Sequence, residues 1–244
     1  MTILRRRLLQ SLPLLSLVAA KPQSSDGGVT TTDLVLNCDT AAAPALARAA
    51  DRFRERTGVQ VRIFPTSPGL LLPQLTRKVQ NDLLFTQGPI MAAAAAAGLI
   101  AGEAAGAWRN RFVLAARGGA GEAALTGRIA VPDPTPAADA DGPALIRALG
   151  LGEDKILGVL DTDEVAFLLA RGEASAGLLH AGDLASRPGL ETIRPVPESV
   201  APPVVYRVAV TTLARRPNPR AFVDFLISPE GAAALTAHSL EIAA

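Results

Sequence analysis

Between Leu34 and Ile63 the period of the apolar positions changes twice. Leu34, Val35 and Leu36 form an unbroken apolar run, the mark of a strand covered on both faces, and Val59, Val61 and Ile63 alternate as a second strand. Between them Leu46, Ala49, Ala50 and Phe53 recur at helical spacing, while Arg48, Asp51, Arg52, Arg54 and Glu55 fall mostly on the opposite face. Pro44 suits a first helical turn and Gly58 a left-handed stop, so both ends of the helix are marked. In open parallel sheets ligands bind beyond the carboxyl ends of strands, where the following helix offers unpaired N–H groups. The loop Asn37-Cys38-Asp39-Thr40-Ala41 is therefore the first candidate site.

The same alternation continues down the chain. Strands are expected over 83–85, 111–117, 128–131, 156–159, 176–179 and 204–211, and helices over 70–80, 91–97, 143–149 and from 162 to about 170. Asp161 with Glu164 three residues on reads as the cap of the helix beginning at Thr162. After Pro217 come a helix, a break and a last helix to about Leu240. Alternating strands and helices predict an α/β protein, and this many units favour two lobes, each a mostly parallel sheet flanked by helices.

Composition refines this picture. Hydrophobic residues make up 49% of the 244 positions but aromatic ones only 4%, so the core is built from Ala, Leu and Val. Residues 1–20 place Arg5, Arg6 and Arg7 ahead of a short apolar run and end in Val18, Ala19 and Ala20, the form of a secretory signal peptide with some likeness to a twin-arginine signal. Residues 21–32 are polar and read as a flexible N-terminus. Loss of the first 20 residues would take the formal charge from +1 to about −2, which leaves no basic patch for nucleic acid. Cys38 is the single cysteine, so no internal disulfide forms, and burial as a small hydrophobe is its ordinary role. Gly118, Gly119 and Gly121 fit neither a Walker loop nor a dinucleotide fingerprint.

Several segments, in order, resemble the substrate-binding proteins of bacterial ABC importers, specifically the molybdate-binding type. They are Thr57 to Ile63, Asn81 to Thr86, Gly98 to Ile100, Asn110 to Leu114, Ile129 to Pro134, Arg171 to Gly177 and Ala221 to Gly231, the last ending in Ser228-Pro229-Glu230-Gly231. The resemblance implies a type II periplasmic-binding fold with lobe 1 at 33–112 plus 206–244 and lobe 2 at 113–205. The chain would cross near Phe112 to Arg117 and near Val200 to Val208. It further implies a periplasmic monomer without a cofactor, which captures an oxyanion such as molybdate and hands it to an ABC permease and its ATPase. Carried over position by position, the family's binding residues fall at Thr40 and Ala41, at Ser67 with its neighbour Thr66, near Asp139, at Thr162 and at His180. His180 replaces the family's tyrosine and Ala41 its first serine.

Asp39, Asp139, Asp141 and Asp163 all fall in loops expected to line the cleft. Carboxylates facing a desolvated anion repel it by on the order of several kcal/mol at low effective dielectric, so the direction in which they point decides the ligand. Two alternatives stand beside the oxyanion. Cys38, Asp39 and His180 have the chemistry of a transition-metal site, or the cleft takes a small organic solute. An enzyme, with Cys38 as nucleophile and His180 as base, is a further alternative of a different class. An anion held by His180 would bind more tightly at mildly acidic pH, where both ring nitrogens donate.

Overall fold

A computed structural model describes residues 33–132 and 142–242; the expected signal peptide and N-terminal segment lie outside them. β1 (Leu34–Asp39) is buried along its whole length, because parallel partners flank it on both edges: β2 (Val61–Thr66) and β3 (Leu83–Gln87). α1 (Ala43–Thr57) joins β1 to β2 with Pro44 in its first turn, buries Ala45, Leu46, Ala49, Ala50 and Phe53, and stops at Gly58 in the left-handed conformation. That stop delays β2 to Val61, two residues later than the alternation of Val59, Val61 and Ile63 suggested. α2 (Pro68–Thr76) and α3 (Gly88–Ala96) both start earlier than expected, since each has a proline in its first turn.

β4 (Ala105–Asn110) was not foreseen. It opens with Gly106 at φ 65°, where a Cβ would lie 2.2 Å from the ring of Trp108, so only glycine lets the indole fold back over the strand. One residue, Arg111, separates β4 from β5 (Phe112–Arg117), and there the chain passes from one sheet to the other. The second sheet is then built from β6 (Ile129–Pro132), α4 (Gly142–Ala148), β7 (Ile156–Val159), α5 (Thr162–Arg171), β8 (Ala176–His180), the single turn α6 (Ala181–Leu184) and β9 (Leu190–Pro195). The chain returns over 196–203 to β10 (Val204–Val210), and α7 (Arg220–Ile227), α8 (Pro229–Thr236) and β11 (Glu241–Ile242) complete the first half. The last helix ends at Thr236, short of Leu240, and Ser239 turns with φ 63°.

The first sheet has the order β11-β4-β10-β3-β1-β2 and the second β7-β6-β8-β5-β9. The expected two-sheet α/β architecture is present, but the sheets are more mixed than mostly parallel. β2-β1-β3 and β7-β6-β8 run parallel, whereas β10, β4, β11, β5 and β9 pair antiparallel. The antiparallel members include the strands on either side of the two crossings. The largest apolar cluster among the described residues runs through both halves, taking Leu36, Phe85 and Tyr206 from the first sheet and Leu114, Val131 and Leu178 from the second, and a smaller cluster lies in each half, around Leu84 and around Leu169. Within the largest cluster Phe53 of α1 meets Phe222 of α7 edge-on with ring centres 5.1 Å apart.

Candidate functional site

Where the two sheets face each other lies a cavity of about 370 Å³. Its walls come from the ends of β1, β6 and β8, from the segments that follow β1, β2 and β7, and from Phe112 of β5 and Tyr206 of β10. Thr40 and Ala41 belong to a 3-10 turn, Thr40–Ala42, that feeds α1. Ser67 is the N-cap of α2, yet its hydroxyl makes no hydrogen bond to that helix and faces a wall of the cavity. From the other half, Thr162 is the first residue of α5 and His180 the last of β8. Thus the 3-10 turn that leads into α1 and the N-terminal ends of α2 and α5, which carry partial positive charge, border one space.

Of the residues proposed from sequence, Thr40, Ala41, Ser67, Thr162 and His180 are brought together here. Thr66 is displaced: it ends β2 beside Asp39 in register and is not part of the cavity wall. Asp139 and Asp141 lie outside the described residues. Sequence reasoning missed the floor, made by Phe112 and Tyr206 on the two crossing strands, and the lip residues Leu70 and Leu160. The crossings themselves had been placed near these aromatics, and that was the available signal.

Three carboxylates border the cavity, and each is engaged. Asp39, 1% exposed, accepts the Thr86 hydroxyl at 2.6 Å. Asp161 caps α5, its Oδ1 taking the N–H of Glu164 at 3.0 Å, while Glu164 reaches back to the N–H of Leu160 at 2.7 Å. This differs from a capping box by one residue, since the glutamate bonds the position before the cap. Asp163 pairs with Arg187. Partial burial raises the Asp163 carboxyl above its usual range, with Arg187 acting in the opposite direction.

His180 lies against Phe112 with ring centres 4.6 Å apart, and its Nδ1 is 3.5 Å from the buried carboxylate of Asp183. Arg187 also reaches Asp183, at 3.1 Å. Burial by itself would raise the Asp183 carboxyl, but hydrogen bonds and charge from His180, with the charge of Arg187, hold it below the ordinary range. A chain of charge therefore runs from the cavity wall through Asp183 and Arg187 to Asp163.

Two alternatives are corrected here. Cys38 is fully enclosed in the apolar core, and burial, then the neighbouring Asp39, pushes its thiol well above its ordinary value. Such a thiol is a poor nucleophile and a poor metal ligand. Among the described residues no three His, Cys, Asp or Glu side chains gather as a metal site, so Cys38, Asp39 and His180 do not form one.

The model of the bacterial extracellular solute-binding protein family matches residues 34–241. The chain belongs to that family. Among solved structures, this binding protein is similar to the substrate-binding domain of a putative molybdenum ABC transporter from Clostridium difficile, with TM-score 0.69 and 20% identity over 87% of this chain and 100% of the other. It is similar too to the periplasmic molybdate-binding protein of Azotobacter vinelandii, with TM-score 0.70 and 18% identity over 86% and 100%. L-phospholactate-bound PEB3, a protein of Campylobacter jejuni, matches with TM-score 0.68 and 18% identity over 86% and 99%. These likenesses establish the two-lobed type II binding-protein fold. Comparison with curated proteins gave no match. Solute-binding proteins of this kind serve ABC transporters, and no helix among the described residues is long and apolar enough to cross a membrane.

Proposed function

We propose that this solute-binding protein captures a tetrahedral oxyanion and presents it to an ABC permease driven by its ATPase. The observation that carries the reading is the convergence of the 3-10 turn before α1 with the N-terminal ends of α2 and α5, from both halves, on one cavity that Thr40, Ser67 and Thr162 line. Neutral N–H and O–H donors hold a desolvated anion without bringing a counter-charge. The aspartates that could repel it are occupied: Asp161 by the α5 backbone, Asp163 by Arg187 and Asp39 by Thr86. His180 supplies a further donor in place of the tyrosine of the molybdate-binding type. The similar folds of proteins named for molybdate and of phospholactate-bound PEB3 support a tetrahedral anion.

In this reading lobe 1 comprises 33–112 and 206–244 and lobe 2 comprises 113–205. Export depends on residues 1–20, and the lobes close on the ligand by turning about the two crossings. No cofactor takes part, and the protein acts as a monomer. Calorimetric titration of the purified protein with molybdate, tungstate, sulfate and phosphate tests the anion class, and saturable binding of at least one tetrahedral anion is expected. Binding of zinc, copper or a diamine with no heat from any tetrahedral anion would overturn it.

A further inference from the structure

The cavity offers more room, and more apolar wall, than a bare oxyanion can use. Its volume, about 370 Å³, lies in the range that encloses small organic molecules rather than a five-atom ion. Below the hydroxyls lie Phe112, Leu178 and Tyr206. At the lip stand two leucines from opposite halves, Leu70 at 56% exposure and Leu160 at 77%. Each belongs to the same turn as a polar group of the site, Leu70 three residues after Ser67 and Leu160 two before Thr162. Leu160 is also fixed in place, because its N–H is held by Glu164.

One exposed leucine is ordinary on a protein surface. Two that border a single cavity together with Phe112, Leu178 and Tyr206 give that cavity a large apolar share of wall, which suits apolar matter. Resting on the oxyanion reading, we infer that the physiological ligand is an organic oxyanion. Its tetrahedral phosphate, phosphonate or sulfonate head sits at Thr40, Ser67, Thr162 and His180, and a compact apolar body packs against Leu70, Leu160 and Phe112. The rival use of the leucines is to touch each other when the cleft narrows, without touching ligand.

Matched pairs separate these cases: phosphate against phenyl phosphate, and sulfate against benzenesulfonate, titrated calorimetrically into the protein and into Leu160→Ala. Phenyl phosphate and benzenesulfonate are expected to bind at least about tenfold more tightly than the bare ions, and Leu160→Ala to reduce that ratio about fivefold. Leu70→Ala, on the other lobe, is an independent check with the same expected direction. Bare ions binding as tightly as their aryl partners would overturn the organic body and leave the oxyanion receptor standing. An aryl preference unchanged in both variants would assign the leucines to closure and likewise overturn the inference. Failure of all four anions to bind would overturn the inference, and the oxyanion reading would fall with it only if molybdate and tungstate gave no binding either.

Discussion

Asp183 holds His180 twice: one carboxylate oxygen lies 3.5 Å from Nδ1 of the ring and accepts the backbone N–H of the same residue at 3.1 Å. The other oxygen meets Arg187. A residue at the cavity wall is thus oriented by a buried acid whose charge is balanced from behind. Replacing Asp183 by Ala is expected to cost about 3 kcal/mol, because Arg187 and the His180 amide lose a buried acceptor. The native carboxyl titrates below its unfolded value of about 3.9, so its contribution is complete above that pH and is lost as pH falls through the lower native value. Urea unfolding of the protein and of Asp183→Asn should show a stability gap at neutral pH that narrows at about pH 3. An equal gap at both would mean that the charge of the carboxylate is not what stabilises the turn.

Asp39→Asn keeps an acceptor for the Thr86 hydroxyl and removes a negative charge from the cavity border. Binding of a tetrahedral anion should tighten about tenfold, or about 1.4 kcal/mol. Weaker binding in the same titration would show that the carboxylate receives the ligand, and that the ligand brings a cation or a donor.

Cys38 should resist iodoacetamide at neutral pH in the native protein and label fully in denaturant, read by mass spectrometry. Burial both shields the thiol and suppresses its thiolate. Rapid native labelling would contradict its place in the core.

Asp161→Ala removes the cap of α5 and is expected to lower stability by about 1 kcal/mol, with Asp161→Ser restoring most of the loss. Because Thr162 opens that helix, anion affinity should fall in step with the thermal midpoint of the alanine variant. A stability loss without an affinity loss would separate the cap from the site.

Gly106→Ala should cost about 2 kcal/mol, since the new methyl overlaps the Trp108 ring at a positive φ. Trp108 is the single tryptophan, so its fluorescence reports the displacement directly. An unshifted emission spectrum with unchanged stability would show that the indole has another place to go.

The stretch Leu34 to Ile63 was legible because its periodicities and its stops, Pro44 and Gly58, are local. β4 and β9 were not. Ala105–Asn110 carries only one large apolar residue, Trp108, and Leu190–Pro195 is an exposed edge strand; neither needs the continuous apolar run of a central strand. The antiparallel pairing of β10 with β3 and β4 depends on the chain's return from the second sheet, which no local pattern encodes. In the site, Ser67 and Thr162 were reached through the family resemblance, position by position, and not from a local pattern. For Tyr206 and Phe112 the signal was only their closeness to the expected crossings, because their shared place in the wall arises when both crossings lie side by side.

The apolar cluster that includes Leu36, Tyr206, Leu114 and Leu178 runs through both halves. The molecule is therefore divided into two sheets but undivided for melting. In the proposed reading the lobes turn about the two crossings, yet neither half can unfold without exposing side chains that the other has kept dry. A lobe cut free at the crossings would carry half of a greasy joint into water.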